Sequence, residues 1–96
     1  MRLISQHGNV DVPYDSVSLE HRNDEVVAIT DQSTPFGVYE FTMGKYSSSE
    51  KAYKVMEMVR EKYLQYIRVY GDYDSVENVL IEPKVFIFPK DEDVEV

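Results

Sequence analysis

Ser47-Ser48-Ser49-Glu50-Lys51-Ala52-Tyr53-Lys54-Val55-Met56-Glu57-Met58-Val59 is the stretch on which the fold turns. Ser47 with Glu50 three positions later has the form of a capping box, in which each side chain satisfies an orphan N–H of the first helical turn. Apolar residues then recur at Ala52, Val55, Met56, Val59, Tyr63, Tyr66, Ile67 and Tyr70. At 3.6 residues per turn they share an arc of roughly 120°. The spacing predicts one amphipathic helix of about 22 residues, roughly 33 Å long. Gly71 is the natural residue to end it.

Upstream, the period changes from helical to alternating. Met1 to Ser5 reads as a short strand, and Gln6-His7-Gly8-Asn9 as a turn. Val10 to Tyr14 resumes an extended path, and Pro13 places it at an edge, since proline offers no N–H to a ladder. Val17, Leu19 and His21 alternate with polar neighbours, Asn23-Asp24 turns the chain, and Val26 to Thr30 returns it. Residues 16–30 are therefore expected to form a hairpin. Asp31 to Gly37 reads as a loop because of Pro35 and Gly37. Val38 to Tyr46 is a further strand, with Tyr39, Phe41 and Met43 on one face. Downstream of the helix, Asp72 to Pro83 is acidic and irregular, and Lys84 to Phe88 is a short strand closed by Pro89.

These elements predict an α+β fold: a curved, mostly antiparallel sheet of four or five strands with one long helix across one face, in the order β-β-β-β-α-β. Lys84 to Phe88 is expected beside the first strand, or else as an open edge that pairs with another copy. One domain is expected over residues 1–90, with 91–96 as a frayed acidic tail.

Composition narrows the function. The 96 residues carry 10 basic and 18 acidic side chains, a formal net charge of -8. Such a field repels nucleic acid and anionic membranes. The helix's Lys51, Lys54, Arg60, Lys62 and Arg68 alternate with Glu50, Glu57 and Glu61, a solvated face rather than a basic patch. With no cysteine, thiolate zinc sites, disulfides and thiol nucleophiles are excluded. No apolar run in Met1 to Val12 suits a signal peptide, and none elsewhere suits a membrane span, so a cytoplasmic location is expected.

Catalytic and ligand motifs are equally sparse. His7 and His21 with Asp11 could supply metal ligands, but no HxH, HExxH or HxxxH spacing holds two on one face. Asp72, Asp74 and Glu77 begin like a calcium loop, which fails at Val76 and lacks the following glycine. The Ser47–Ser49 run is explained by capping, and no glycine-rich phosphate loop is present. The reading is of a non-enzymatic protein with no cofactor and no metal.

Tyrosine is the compositional oddity, with eight in the chain. Its ring buries area while its hydroxyl stays wet, which suits contact surfaces. Tyr63, Tyr66 and Tyr70 lie on the core stripe, whereas Tyr53 and Leu64 do not. With Glu57 and Arg60 between them, these two form a shoulder that is either covered by a loop or used against a partner.

The opening Met1-Arg2-Leu3-Ile4-Ser5-Gln6, followed by Asp11-Val12-Pro13-Tyr14-Asp15, and the later Gly44-Lys45-Tyr46-Ser47-Ser48-Ser49-Glu50-Lys51-Ala52 form a pattern. It resembles a group of small proteins of Gram-positive bacteria and their phages or mobile elements, a group without an assigned activity. Asp72 to Glu82 has no counterpart in that pattern. The resemblance implies an accessory, phage-related context and carries no catalytic residue. The expected function is a protein–protein interaction, with a protein partner or a weak homodimer on Tyr53, Glu57, Arg60 and Leu64. The alternative is an acidic mimic of nucleic acid that occupies a DNA- or RNA-binding protein; a small enzyme is a third reading that no motif supports.

Overall fold

The computed structural model describes residues 1–34, 37–70 and 85–96. The described residues form a small α+β structure of six strands and one helix: β1 (Arg2–Ile4), β2 (Asp11–Pro13), β3 (Val17–Arg22), β4 (Glu25–Thr34), β5 (Gly37–Lys45), α1 (Ser49–Tyr70) and β6 (Val85–Ile87). Five strands precede the helix rather than four. They do not form the single sheet expected. Two three-stranded sheets are present, ordered β2-β1-β6 and β3-β4-β5. Between them the chain leaves Pro13 and makes a 3-10 turn at Tyr14–Ser16, which ends one ladder before the other begins.

In the first sheet, β1 pairs with β2 antiparallel and with β6 in parallel, Leu3 lying opposite both Val12 and Phe86. The last strand therefore does sit beside the first. The β1–β2 turn is closed by Ser5, 1% exposed. Its hydroxyl donates to Asn9 Oδ1 and accepts from the Val10 N–H. Gly8 takes φ 78 there, a conformation glycine adopts without steric cost.

The second sheet contains the expected hairpin, with Arg22 opposite Glu25 and Asn23 at φ 53. Asparagine tolerates that left-handed conformation. The loop expected over 31–37 is instead largely strand. β4 continues to Thr34, and Gly37 already pairs with it. The pairing shifts register between Ile29 and Ser33 and then continues to Thr34. Near the other end, Val26 faces Gly44 while Val27 faces Thr42, so Met43 is an extra residue on β5. Such a bulge frees backbone groups from the ladder. The Met43 carbonyl is put to use, accepting the Gln6 N–H at 2.7 Å.

Gln6 joins the two sheets. Its Oε1 accepts the Lys45 N–H at 3.1 Å, and its Nε2 donates to the Lys45 and Pro89 carbonyls at 3.2 and 3.1 Å. The side-chain amide thus does for β5 what a neighbouring peptide group would do. Tyr46 adds a second tie, its hydroxyl donating to the Pro89 carbonyl at 2.9 Å. A Cβ on Gly44 would fall 2.5 Å from that hydroxyl, so glycine leaves the room the ring needs.

One core serves both sheets and the helix: Leu3, Val26, Ala28, Met43, Tyr46, Ala52, Val55, Val59, Phe86, Phe88 and Val94. On the sheet face turned from the helix, Arg22 reaches from β3 across β4 to both oxygens of Glu40, each at 2.9 Å, and also to Glu20. The Arg22 hydrogen bonds hold the Glu40 carboxyl below the usual carboxylate range. The bridge passes over Val27, which is buried although it faces away from α1.

The helix begins one residue later than the capping box implies. The Lys51 N–H donates to the Ser48 hydroxyl at 3.2 Å, which makes Ser48 the cap. Ser47 is held elsewhere, its N–H donating to Asp91 Oδ1 at 2.7 Å. Ser48→Ala is therefore expected to cost about 1 kcal/mol, and Ser49→Ala a few tenths. Urea melts of the two variants check this, and the reverse order would put the cap at Ser49.

The core stripe is also shorter than expected. Ala52, Val55 and Val59 are at most 1% exposed, but Ile67 is 45% exposed. Tyr63 leaves the core to stack on Tyr14, ring centroids 4.1 Å apart. Residues 91–96 are not the frayed tail expected. Asp91–Asp93 form a 3-10 turn, Val94 is 5% exposed within the core, and Lys51 Nζ donates to the Asp91 carbonyl. Gly71 and the acidic stretch Asp72 to Pro83, with its calcium-loop resemblance, lie outside the described residues, as does Lys84 at the start of the last strand. Among the described residues no helix is long and apolar enough to cross a membrane.

Candidate interaction surface

Tyr53, Glu57, Arg60 and Leu64 follow one another at intervals of four, three and four. That spacing sets them in one stripe along α1. The stripe lies roughly 150° round the helix from Val55 and Val59, which face the core. Tyr53 is 52% exposed and Leu64 57% exposed. The structure thus brings the four sequence-predicted residues together and leaves both apolar members largely in water. Glu57 is half-buried and Arg60 exposed, and among the described residues neither enters an ion pair.

One margin of the stripe is fixed by β3. The Tyr53 ring lies 6.2 Å from the His21 ring. His21 Nε2 is 2.7 Å from the Asn23 carbonyl and 3.2 Å from the Ser49 hydroxyl, so it is part of the hairpin's anchorage to the helix start. Beside Arg60 opens a cleft of about 300 Å³ lined by Tyr14, Val17, Ser18, Leu19, Met56 and Val59. Tyr63 stacks on Tyr14 of this lining, with its hydroxyl 3.5 Å from Asp15 Oδ1. Burial, then the Asp15 charge, push the Tyr63 hydroxyl's pKa upward, so it stays a protonated donor.

The cleft wall was not foreseen from sequence. Its only signal was Pro13-Tyr14, which marks a bend and an aromatic residue but not what the ring would touch. His7 and Asp11, considered with His21 as ligands, do not join it. His7 rims a separate cleft against β5, Asp11 pairs with Arg2 at 2.8 Å, and no group of three ligand-type side chains is assembled among the described residues. A third opening lies between α1 and β6, bordered by Met58 and Ile87.

No family model, no curated protein and no solved structure matches this chain.

Proposed function

We propose that the chain is a small non-enzymatic accessory protein of the phage or mobile-element kind, which acts by protein–protein contact through the Tyr53–Leu64 stripe. One observation carries this reading: two large side chains, Tyr53 and Leu64, are more than half exposed on the outer face of a regular helix. A rigid helix presents such residues with little ordering cost, and aromatic anchors of this kind dominate binding energy at interfaces. The adjoining cleft gives the surface relief.

The acidic-mimic reading draws less support. Asp11 is paired with Arg2, Glu20 and Glu40 with Arg22, and Asp91 with Lys51. These four carboxylates are engaged by basic side chains rather than standing free.

Affinity capture from the native cell tests the proposal. Wild type and Lys54→Ala, altered on a neighbouring solvent face, should retain the same proteins, and Leu64→Asp should lose them. Identical recovery by all three would remove the stripe as the contact surface.

A further inference from the structure

The stripe has a property that a generic contact surface does not need. Its intervals of four, three and four are those of the a and d positions of a heptad, the seam along which two helices pack. Glu50 and Ile67 continue the same seam at intervals of three on either side, and Ile67 is 45% exposed. Read forward the central residues are Tyr, Glu, Arg, Leu. Laid antiparallel on itself, the same stripe puts Tyr53 against Leu64, Glu57 against Arg60, Arg60 against Glu57 and Leu64 against Tyr53. Both apolar residues meet apolar residues, and both charges meet the opposite sign. A surface that complements itself under a two-fold rotation is the requirement for an isologous dimer.

We propose that the partner on this stripe is a second copy of the chain, docked helix against antiparallel helix about an axis level with the peptide between Met58 and Val59. This rests on the reading of the stripe as a contact surface and names its occupant. Charge fixes the register. Sliding one helix until Tyr53 meets Ile67 would bring each Arg60 against its own copy, and the opposite slide would oppose the two Glu57 side chains. In the favoured register Ile67 lies against the aliphatic stem of the partner's Glu50. Charged residues at central seam positions specify register and orientation while lowering stability. Among the described residues Glu57 and Arg60 enter no ion pair, which fits this, since neither would have to leave one there. A few residues from each copy cover less than the roughly 1,600 Å² of a standard interface, and a net charge of -8 on each chain opposes approach. The dimer is therefore weak and reversible.

Sedimentation velocity over about 0.01–1 mM, the range in which a weak dimer forms, tests the proposal. Wild type should move from monomer to dimer across that range. Leu64→Asp and Arg60→Glu change exposed side chains and Glu57→Arg a half-buried one on the same outer face, and all three should keep the monomer's melting temperature. Each should weaken association by about tenfold or more. An equimolar mixture of Glu57→Arg and Arg60→Glu should dimerise again, because one helix then carries two positive positions and the other two negative ones. Wild type that stays monomeric throughout, a dimer indifferent to Leu64→Asp, or a mixture that fails to recover would each overturn the antiparallel pair. Monomeric wild type together with capture that still depends on Leu64 would overturn only the second copy and leave the contact surface standing.

Discussion

Phe88→Ala should destabilise the protein by about 3–5 kcal/mol, the cost of truncating a buried phenylalanine. Phe88 is 1% exposed and meets Phe86 edge to face with centroids 5.2 Å apart. Its N–H donates to the Ile4 carbonyl at 2.9 Å, extending the β1–β6 pairing. Removing the ring leaves a cavity where the first sheet, the second sheet and the helix meet. A domain of this size has total stability of roughly 5–15 kcal/mol, so the variant is expected to be partly unfolded near body temperature. Ile87→Ala is the control. Ile87 is 63% exposed on the opposite face of the same strand, and its loss should stay within about 0.5 kcal/mol. Urea melts that show equal effects would mean that β6 presents its other face to the core.

Deleting residues 91–96 should also be costly, where a frayed tail would be lost without effect. Burial of the Val94 side chain accounts for about 1.5–3 kcal/mol, and the Asp91 contacts to Ser47 and Lys51 go with it. The Asp91 part can be separated by pH. Hydrogen bonding from the Ser47 N–H, aided by the Lys51 charge, holds the Asp91 carboxyl below its ordinary range. A group whose folded pKa is depressed contributes fully above its unfolded value and loses that contribution as pH falls through the folded one. The gap in melting temperature between wild type and Asp91→Asn should be complete at about pH 6 and shrink below about pH 4. A gap independent of pH would mean that the ionised carboxylate does not dock the tail.

The tail also shows what sequence could and could not disclose. Six residues with one apolar pair read as solvated, because the partner that makes Val94 worth burying is a core assembled from residues far along the chain. The position of the cap is hidden in the sequence for a related reason. Three consecutive serines are chemically equivalent as caps, and the choice of Ser48 follows from Asp91 holding the Ser47 N–H. Strand existence was legible from alternation, and so was the Asn23-Asp24 hairpin. Sheet membership was not, since Leu3 could alternate identically whether it paired with Val12 and Phe86 or with a strand of the other sheet. Asp31 to Thr34 read as a loop because no apolar residue among them marks a strand face, although the backbone pairing with β5 continues to Thr34. At the candidate surface, helical geometry alone separated Tyr53 and Leu64 from the core stripe. Periodicity alone places Ile67 on that stripe, because it does not say where the underlying sheet stops. Tyr14 and Leu19 of the cleft wall needed the crossing of helix over hairpin.

The parallel pairing of β1 with β6 sets an order of events during synthesis. Gln6 and the Pro89 carbonyl it binds are 83 positions apart. At about 5–20 residues per second, the ribosome takes of the order of 4–16 s to deliver β6 after β1 has emerged. A hairpin such as β3–β4 closes in about 1–10 μs. The hairpin sheet and the helix are therefore assembled while Leu3 and the outer edge of β1 still wait for their cover. Closing a loop of this length is also entropically the most demanding contact in the fold. Over that interval the nascent chain carries an open strand edge beside an unfinished core, the kind of surface that invites pairing with other chains.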